Sequence, residues 1–450
     1  MLSPLVKSCL PGIVWPGLPE PAGAAQLALL YQFSQSERWS TEELVNAQYR
    51  QLDALIKHAW HTSPFYRNRF AQSGYDPSQD LNPSWFTSLP LLSWQALQSD
   101  YDQIVSTQPP VSHGATIEGA SSGSTGRPIR FLSTEYTRTI WRTLSMRSHL
   151  WNSRDFSAKF AVIRAKVKNQ TAVDWGVSMN QVFDTAPSPT LDIRTPVADQ
   201  ATWLLGQNPH YLLTFPSNLR GLAERFLLLD KTASGIEEII TIGEMLTPEN
   251  RAFCEQVFKA PIRDVYSASE VGYIAFQCQE GHYHVQENLL VEVLDEEGKP
   301  VPDGKVGQVV ITDLHNFASP LIRYAIGDYA EKGNCACKCG RKLMQLNQVM
   351  GRSRNLITLP NGNRFWPLMA IQEWPKSAGI TRHQVIQKSL DLLEVRLEVP
   401  RPLTDDERNG IATALCGRLG HQFDIQFAEM ASMPMPDNGK FEDFISEISQ

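Results

Sequence analysis

Long apolar runs are missing from this 450-residue chain. None reaches the roughly 20 residues a membrane-spanning helix requires, so no transmembrane helix is expected. The opening MLSPLVKSCLPGIVWPG is broken by prolines and lacks a charged start, an unbroken apolar region and a small-residue cleavage site, so it does not read as a signal peptide. Positive charge is not in excess. Lys and Arg number 41 against 48 Asp and Glu, a formal charge of −7. A general nucleic-acid binder needs a basic face to neutralise phosphates, and no dense Lys/Arg run supplies one. Cysteine is scarce and odd in number, seven in all, yet three crowd into Cys335-Ala336-Cys337-Lys338-Cys339. Disulfide scaffolds are small and secreted, so this pattern in a long chain favours metal binding or free thiols, and a cytoplasmic location. Internal repeats and low-complexity segments are absent as well.

What is present is ordinary globular composition, 42% hydrophobic and 20% charged. At this length about two or three structural units are expected. Residues from Gln26 to Phe70 read as mostly helical, with Ser40-Thr41-Glu42-Glu43-Leu44 as a start signal, Leu52, Leu55, Ile56 and Ala59 at helical spacing, and Pro64 ending the periodicity. From Phe160 onward, short apolar runs alternate with helical segments (Phe160 to Ile163, His210 to Thr214, Leu222 to Leu229, Ile239 to Ile242), which predicts an α/β core. After Tyr266 the chain turns β-rich, with strands expected at Leu289 to Leu294 and Gly307 to Thr312. A further unit closes the chain, with a strand over Leu392 to Val399, a helix over Asp405 to Leu419 opened by acidic residues, and a returning strand over Phe423 to Phe427. Its boundary is expected near Gly351-Arg352-Ser353-Arg354.

Several short motifs carry chemistry. The run Ser121-Ser122-Gly123-Ser124-Thr125-Gly126-Arg127 has small hydroxyl residues and glycines that let a backbone bend tightly around a polyphosphate and offer it donors. It lacks the Gly-Lys-Ser/Thr ending of a Walker A loop, and taken alone it equally suits a flexible linker. Tyr266-Ser267-Ala268-Ser269-Glu270, preceded by Gly243-Glu244, offers a ring to stack on a base and a carboxylate to hold Mg2+. Alone it also suits a helix-capping serine beside an acid. In Arg323-Tyr324-Ala325-Ile326-Gly327-Asp328 the aspartate can accept two ribose hydroxyls, although Gly-Asp turns are common. Gly439-Lys440 follows a Pro-rich turn, and a lone lysine is ordinarily a solvated charge.

The ordered set is more informative than its members. Together these motifs resemble the series of the acyl-adenylate-forming superfamily, closest to its phenylacetate–CoA ligase-like branch. His58-Ala59-Trp60-His61-Thr62-Ser63-Pro64-Phe65-Tyr66-Arg67 and Pro320-Leu321-Ile322-Arg323-Tyr324 strengthen the match, which runs from about Gln51 to Phe441 and is weakest over Phe156 to Leu205. The resemblance implies a large N-terminal α/β domain (1–352, with a β-rich part over 271–350) and a small mobile α+β lid (353–450). It implies that ATP activates a carboxylic acid, of aryl type, to an acyl-AMP that is passed to CoA. In that scheme Ser121 to Gly126 with Arg127 handle the terminal phosphates. Gly243, Glu244, Tyr266, Ser267 and Ser269 border the nucleotide, Glu270 ligates Mg2+, Asp328 and Arg352 hold the ribose, Lys440 stabilises the transition state, and Gly362 lines the acceptor channel. Phe215-Pro216-Ser217 and Trp175-Gly176 are candidates for the acid pocket. The branch includes dimers, so a homodimer is compatible.

Two positions depart from the family pattern. Arg354 and Asn355 follow Gly-Arg-Ser where acidic residues are usual at the hinge, and Arg127 stands where lysine is frequent. Transfer to an amine or a carrier-protein thiol is therefore the alternative to CoA. An inactive nucleotide-binding homologue is an alternative of another class, against which Glu270, Asp328 and Lys440 are all present. A zinc-ribbon nucleic-acid protein would leave the other motifs as coincidence. The cysteines with nearby histidines resemble the structural zinc sites of some members of the branch, which implies Cys278, His284, Cys337 and Cys339 as ligands, with Cys335 or His282 as substitutes. Cys9, Cys254 and Cys416 are expected to be buried small apolar side chains.

Overall fold

The computed structural model describes residues 4–121, 128–334, 337–367, 369, 371–434, 436 and 439–448, the side chain of Gln372 excepted. Helices α1 (Pro21–Ser36), α2 (Thr41–Thr62) and α3 (Pro64–Gln72) open the chain, followed by the short α4 (Pro83–Ser88), α5 (Trp94–Ser99) and α6 (Tyr101–Ile104). Ser40 and Glu43 form the capping box expected at the start of α2, each side chain accepting from the other's backbone N–H. Pro64 has a double role. It follows the end of α2 and takes the first-turn position of α3, where its missing N–H costs nothing, and Ser63 caps the new helix by accepting from the Tyr66 N–H.

The hairpin of β1 (Thr116–Ala120) and β2 (Arg130–Thr134) leads into α7 (Glu135–Trp151). Then come β3 (Phe160–Arg164), β4 (Gln170–Ala172), β5 (Ser188–Asp192), α8 (Val197–Gln207), β6 (Tyr211–Thr214), α9 (Pro216–Leu228), β7 (Glu238–Ile242), α10 (Pro248–Phe258) and β8 (Ile262–Ala268). The apolar run at Leu222 to Leu229 thus falls in and just after helix α9 and supplies no strand. Strands β9 (Gly272–Gln277), β10 (Tyr283–Val285), β11 (Leu289–Leu294), β12 (Val306–Asp313), β13 (Tyr324–Lys332) and β14 (Gln345–Arg352) follow. All but the first two join one twelve-stranded sheet in the order β11-β12-β13-β14-β10-β9-β8-β7-β6-β3-β5-β4.

Within it β5, β3, β6, β7 and β8 run parallel. Parallel strands need cover on both faces, and β7 shows this: Ile239 packs with Leu219, Leu222 and Phe226 of α9, while Ile240 turns to the other face with Ile140 and Leu144 of α7. From β8 onward the pairing is antiparallel, and α2 and α3 pack Leu52, Leu55, Ile56 and Phe70 into the core shared with that half.

Past β14 lie the two-residue strands β15 (Ile357–Thr358) and β16 (Arg364–Phe365), then β17 (Arg382–Gln387), β18 (Leu392–Glu398), α11 (Asp405–Leu419), β19 (Asp424–Met430) and β20 (Phe444–Ser446). The last four strands form a separate sheet ordered β19-β18-β17-β20. Leu393, Val395 and Leu397 alternate onto its buried face and meet Ile411, Leu415 and Leu419 of α11. Thr404 caps that helix, and Asp405, Asp406 and Glu407 in its first turn complement the helix dipole.

Candidate active site

Ligands of open parallel sheets bind beyond the carboxyl ends of the strands, and a cavity lies there. It holds about 350 Å3 and takes its walls from the loop after β7, the end of β8, strands β13 and β14, and the segment carrying Lys440. Ser121, Gly243, Glu244, Tyr266, Ser267, Ser269, Glu270, Asp328, Arg352 and Lys440 all line it. Residues 122–127 lie outside the described residues. The hairpin brings the chain to them: Ser121 N–H donates to the Ile129 carbonyl, and Ser121 Oγ accepts from the Ile129 N–H.

Strand register sets the centre. Asp328 on β13 stands directly opposite Arg352 on β14, with Arg352 Nε 3.5 Å from Asp328 Oδ1. Asp328 Oδ2 accepts from the Tyr266 hydroxyl at 2.9 Å. Nearby, the Tyr324 hydroxyl donates to Glu270 Oε1 at 3.2 Å. Burial pushes the Glu270 carboxyl above its usual range, and burial with the Asp328 carboxylate raises the Tyr266 phenol. Burial acts to lower Arg352, but the carboxylates of Asp328, Glu442 and Glu270 outweigh it and hold the guanidinium above its ordinary value. Lys440 is pulled down by burial, against the charge of Glu244. A site that desolvates both signs and aims cations and carboxylates at one space is suited to binding and redistributing phosphate charge.

Some neighbours were not legible as site residues. Tyr324 belongs to the Arg323–Asp328 run, but nothing in the sequence directs its hydroxyl to Glu270. Asp264 lines the cavity with both oxygens already taken, by the Thr241 hydroxyl at 2.5 Å and the Tyr283 hydroxyl at 2.6 Å. Glu442, two residues past Lys440, accepts from Arg354 at 2.5 and 3.2 Å and from Asn355 at 3.3 Å. Ser217 borders the cavity, but Trp175 is a core residue among Phe156, Phe160 and Tyr211, with its indole N–H on the Ala158 carbonyl. Gly362 occupies an exposed turn between β15 and β16 at φ +85°, where a side chain would meet nothing within 4 Å.

A second cluster lies elsewhere on the large sheet. One ligand atom each from Cys278, His284, Cys337 and Cys339 falls within 4.8 Å of the others. Cys278 and Cys337 sulfurs are 3.6 Å apart, and Cys339 Sγ is 3.2 Å from His284 Nε2. Tetrahedral thiolate sites with bonds near 2.3 Å have sulfur–sulfur edges of about 3.8 Å, so the donors suit a four-coordinate metal. His282 is not in the group, and Cys335 lies outside the described residues. Of the remaining cysteines, Cys254 and Cys416 are buried as expected, whereas Cys9 is exposed on the N-terminal strap.

Residues 368–447 match the model of the CapK C-terminal domain. The chain is 24% identical over 424 residues to phenylacetate-coenzyme A ligase of Escherichia coli (strain K12), covering 88% of this chain and 94% of that protein. It is 23% identical over 392 residues to the phenylacetate-coenzyme A ligase of Thermus thermophilus, covering 83% and 85%. Among solved structures it resembles 2-hydroxyisobutyryl-CoA ligase in the postadenylation state in complex with 2-HIB-AMP, with a TM-score of 0.72, 19% identity and 92% of each chain covered. Shared fold, near-full-length similarity and the ordered motifs agree with the likeness read from the sequence, to the acyl-adenylate-forming superfamily and to its phenylacetate–CoA ligase-like branch.

Proposed function

We propose that this chain uses ATP to convert an aryl carboxylic acid into an acyl-AMP with release of pyrophosphate, and then transfers the acyl group to CoA. The convergence of Tyr266, Glu270, Asp328, Arg352 and Lys440 on one cavity, from distant parts of the chain, carries this reading. Asp328 retains acceptor capacity beyond its bond to Tyr266, enough for ribose hydroxyls, and the Tyr266 ring forms the wall for adenine. Glu270 is the ligand for Mg2+: its carboxylate is buried, held by one phenol and raised in pKa, a state that a nearby cation relieves. When bound, Mg2+ offsets charge on the phosphate oxygens. Lys440 lies beside Gly243, where its cation faces two anions that must approach, the attacking carboxylate and the α-phosphate. Apolar side chains on the cavity wall, among them Met245, Val265, Ile326 and Trp366, suit an aryl acid.

Isotope exchange between ATP and pyrophosphate, run over a panel of aryl, aliphatic and amino acids with Mg2+, tests the reading. Exchange that depends on one class of acid supports it, and the absence of exchange with every acid overturns it. Asp328→Ala is expected to raise the Kd for ATP by about 10- to 100-fold, the loss of charge-assisted hydrogen bonds. Calorimetry checks this, and an unchanged affinity removes Asp328 from the nucleotide site.

A second acceptor has one observation in its favour. Arg354 and Asn355 grip Glu442, and Asn355 also donates to the Phe444 carbonyl at 2.7 Å. These contacts hold the Lys440 segment in place at the point where a lid would have to turn for transfer. If they slow that turn, an amine or a carrier-protein thiol is the acceptor, and product analysis with each in place of CoA decides.

A further inference from the structure

The loop after β7 contains a carboxylate that the chemistry above does not use. Glu244 borders the cavity, yet both of its oxygens are engaged by backbone N–H groups from distant segments. Oε2 accepts from Ser217 at 2.9 Å and Oε1 from Phe441 at 2.7 Å. Each donor has a reason to need it. Helix α9 starts with Pro216 after Phe215, a residue with no polar side-chain atom, and has no side-chain cap of its own. The first N–H groups of a helix lack partners within it, and a carboxylate there also meets the positive end of the helix dipole. Phe441 directly follows Lys440, on the segment that returns to the sheet of β17 to β20.

Gly243 completes the arrangement. At φ +85° it has no side chain, and a Cβ there would lie 3.2 Å from Lys440 Cε and 3.4 Å from its Nζ. Gly243 thus makes room for the lysine side chain while Glu244 fixes the backbone immediately after it. We propose that Glu244 is a positioning residue for adenylate formation, clasping the Phe441 N–H onto the start of α9 and so seating Lys440 at the reacting phosphate; the proposal rests on the function inferred above. Burial pushes the Glu244 carboxyl up to about 7, with the Phe441 and Ser217 N–H groups opposing the rise and Asp443 adding to it. The two N–H donors thus favour the charged form of Glu244 against its burial. When the lid turns, the Phe441 bond breaks and the Ser217 bond stays, so the clasp favours the first half-reaction alone.

Glu244→Gln tests this, because an amide presents one acceptor and one donor to two N–H groups. With the acid that supports exchange in the wild type, kcat for pyrophosphate exchange is expected to fall by about 30- to 100-fold with the KM for ATP within about twofold, the cost of misplacing a catalytic group by about 1 Å. In a Lys440→Ala background the same change should cause no further loss, since Glu244 acts through that lysine. Fully additive losses, or unaltered exchange in the single variant, overturn the proposal. Amide hydrogen exchange over residues 436–444 supplies a readout that needs no acid: protection at Phe441 should drop in the variant and stay in the wild type, and equal protection in both refutes the clasp. Should Glu244→Gln not fold, Glu244→Asp, one methylene shorter, is read in the same way. A wild type that exchanges with no acid defeats the assigned function, whereas the Phe441 amide still judges the clasp.

Discussion

Lys440→Ala is expected to lower adenylate formation by about 100- to 1,000-fold while leaving ATP affinity within about twofold. Lys440 reaches the cavity from the C-terminal segment and rests against Gly243. Its ammonium is partly desolvated, which lowers its pKa and strengthens its attraction to an opposite charge it faces. In the proposed site ATP has other partners, Arg352, Asp328 and Tyr266 among the residues lining the same cavity, so removing Lys440 should remove little binding. The attacking carboxylate and the α-phosphate, by contrast, accumulate negative charge between them as the new bond forms, and an interaction that strengthens only then appears in kcat. Pyrophosphate exchange under saturating ATP measures the loss, and calorimetry measures the affinity. A variant that adenylates normally would remove the lysine from catalysis. Thioester formation from a supplied acyl-AMP should change little, because in the proposed scheme that step follows a turn of the C-terminal unit that carries Lys440 away.

The lysine was legible in the sequence only through its place at the end of an ordered motif series, since Gly-Lys near a C-terminus says nothing by itself. Local rules read well where the structure is local. The capping box at Ser40, the acidic opening of the helix at Asp405 and the alternation of Leu393, Val395 and Leu397 follow from side chain and period alone. The run Leu222 to Leu229 shows the limit of that method: an apolar stretch fits a strand or a buried helix face, and packing against β7 decided for the helix. Trp175 was a plausible pocket residue by position but belongs to an aromatic core that only the sheet order assembles. Glu244 was readable as a residue near the nucleotide, yet its two backbone partners come from α9 and from the segment after Lys440. Backbone donors leave no mark in a sequence, so a carboxylate recruited by them cannot be told from one reserved for ligand. Cys9 departs from the expected burial because that expectation describes cores, and it lies on an exposed strap ahead of the first helix.

A single zinc ion per chain is the expected result of metal analysis on purified protein, lost on Cys337→Ser with a fall in Tm of about 5 °C. Cys278 and His284 belong to the β9–β10 hairpin, and Cys337 and Cys339 to the connection between β13 and β14. Because β10 pairs with both β9 and β14, the four donors staple that connection to the neighbouring β9–β10 hairpin inside the sheet. Cys278 and His284 are almost fully buried, so without a metal their polar atoms would lie in a desolvated place with few partners. The same strands carry Asp328 and Arg352, but farther along: Arg352 closes β14, seven residues after its start at Gln345, which at strand rise is about 20 Å. The metal should therefore set the anchoring of β13 and β14 rather than the charge at the nucleotide. ATP affinity of Cys337→Ser is expected to stay within about twofold of the parent at 25 °C, while added chelator should increase proteolytic cutting in the β13–β14 connection. Finding no zinc in the parent protein would refute the site, and a large loss of ATP affinity at full folding would show that the cluster reaches the nucleotide after all.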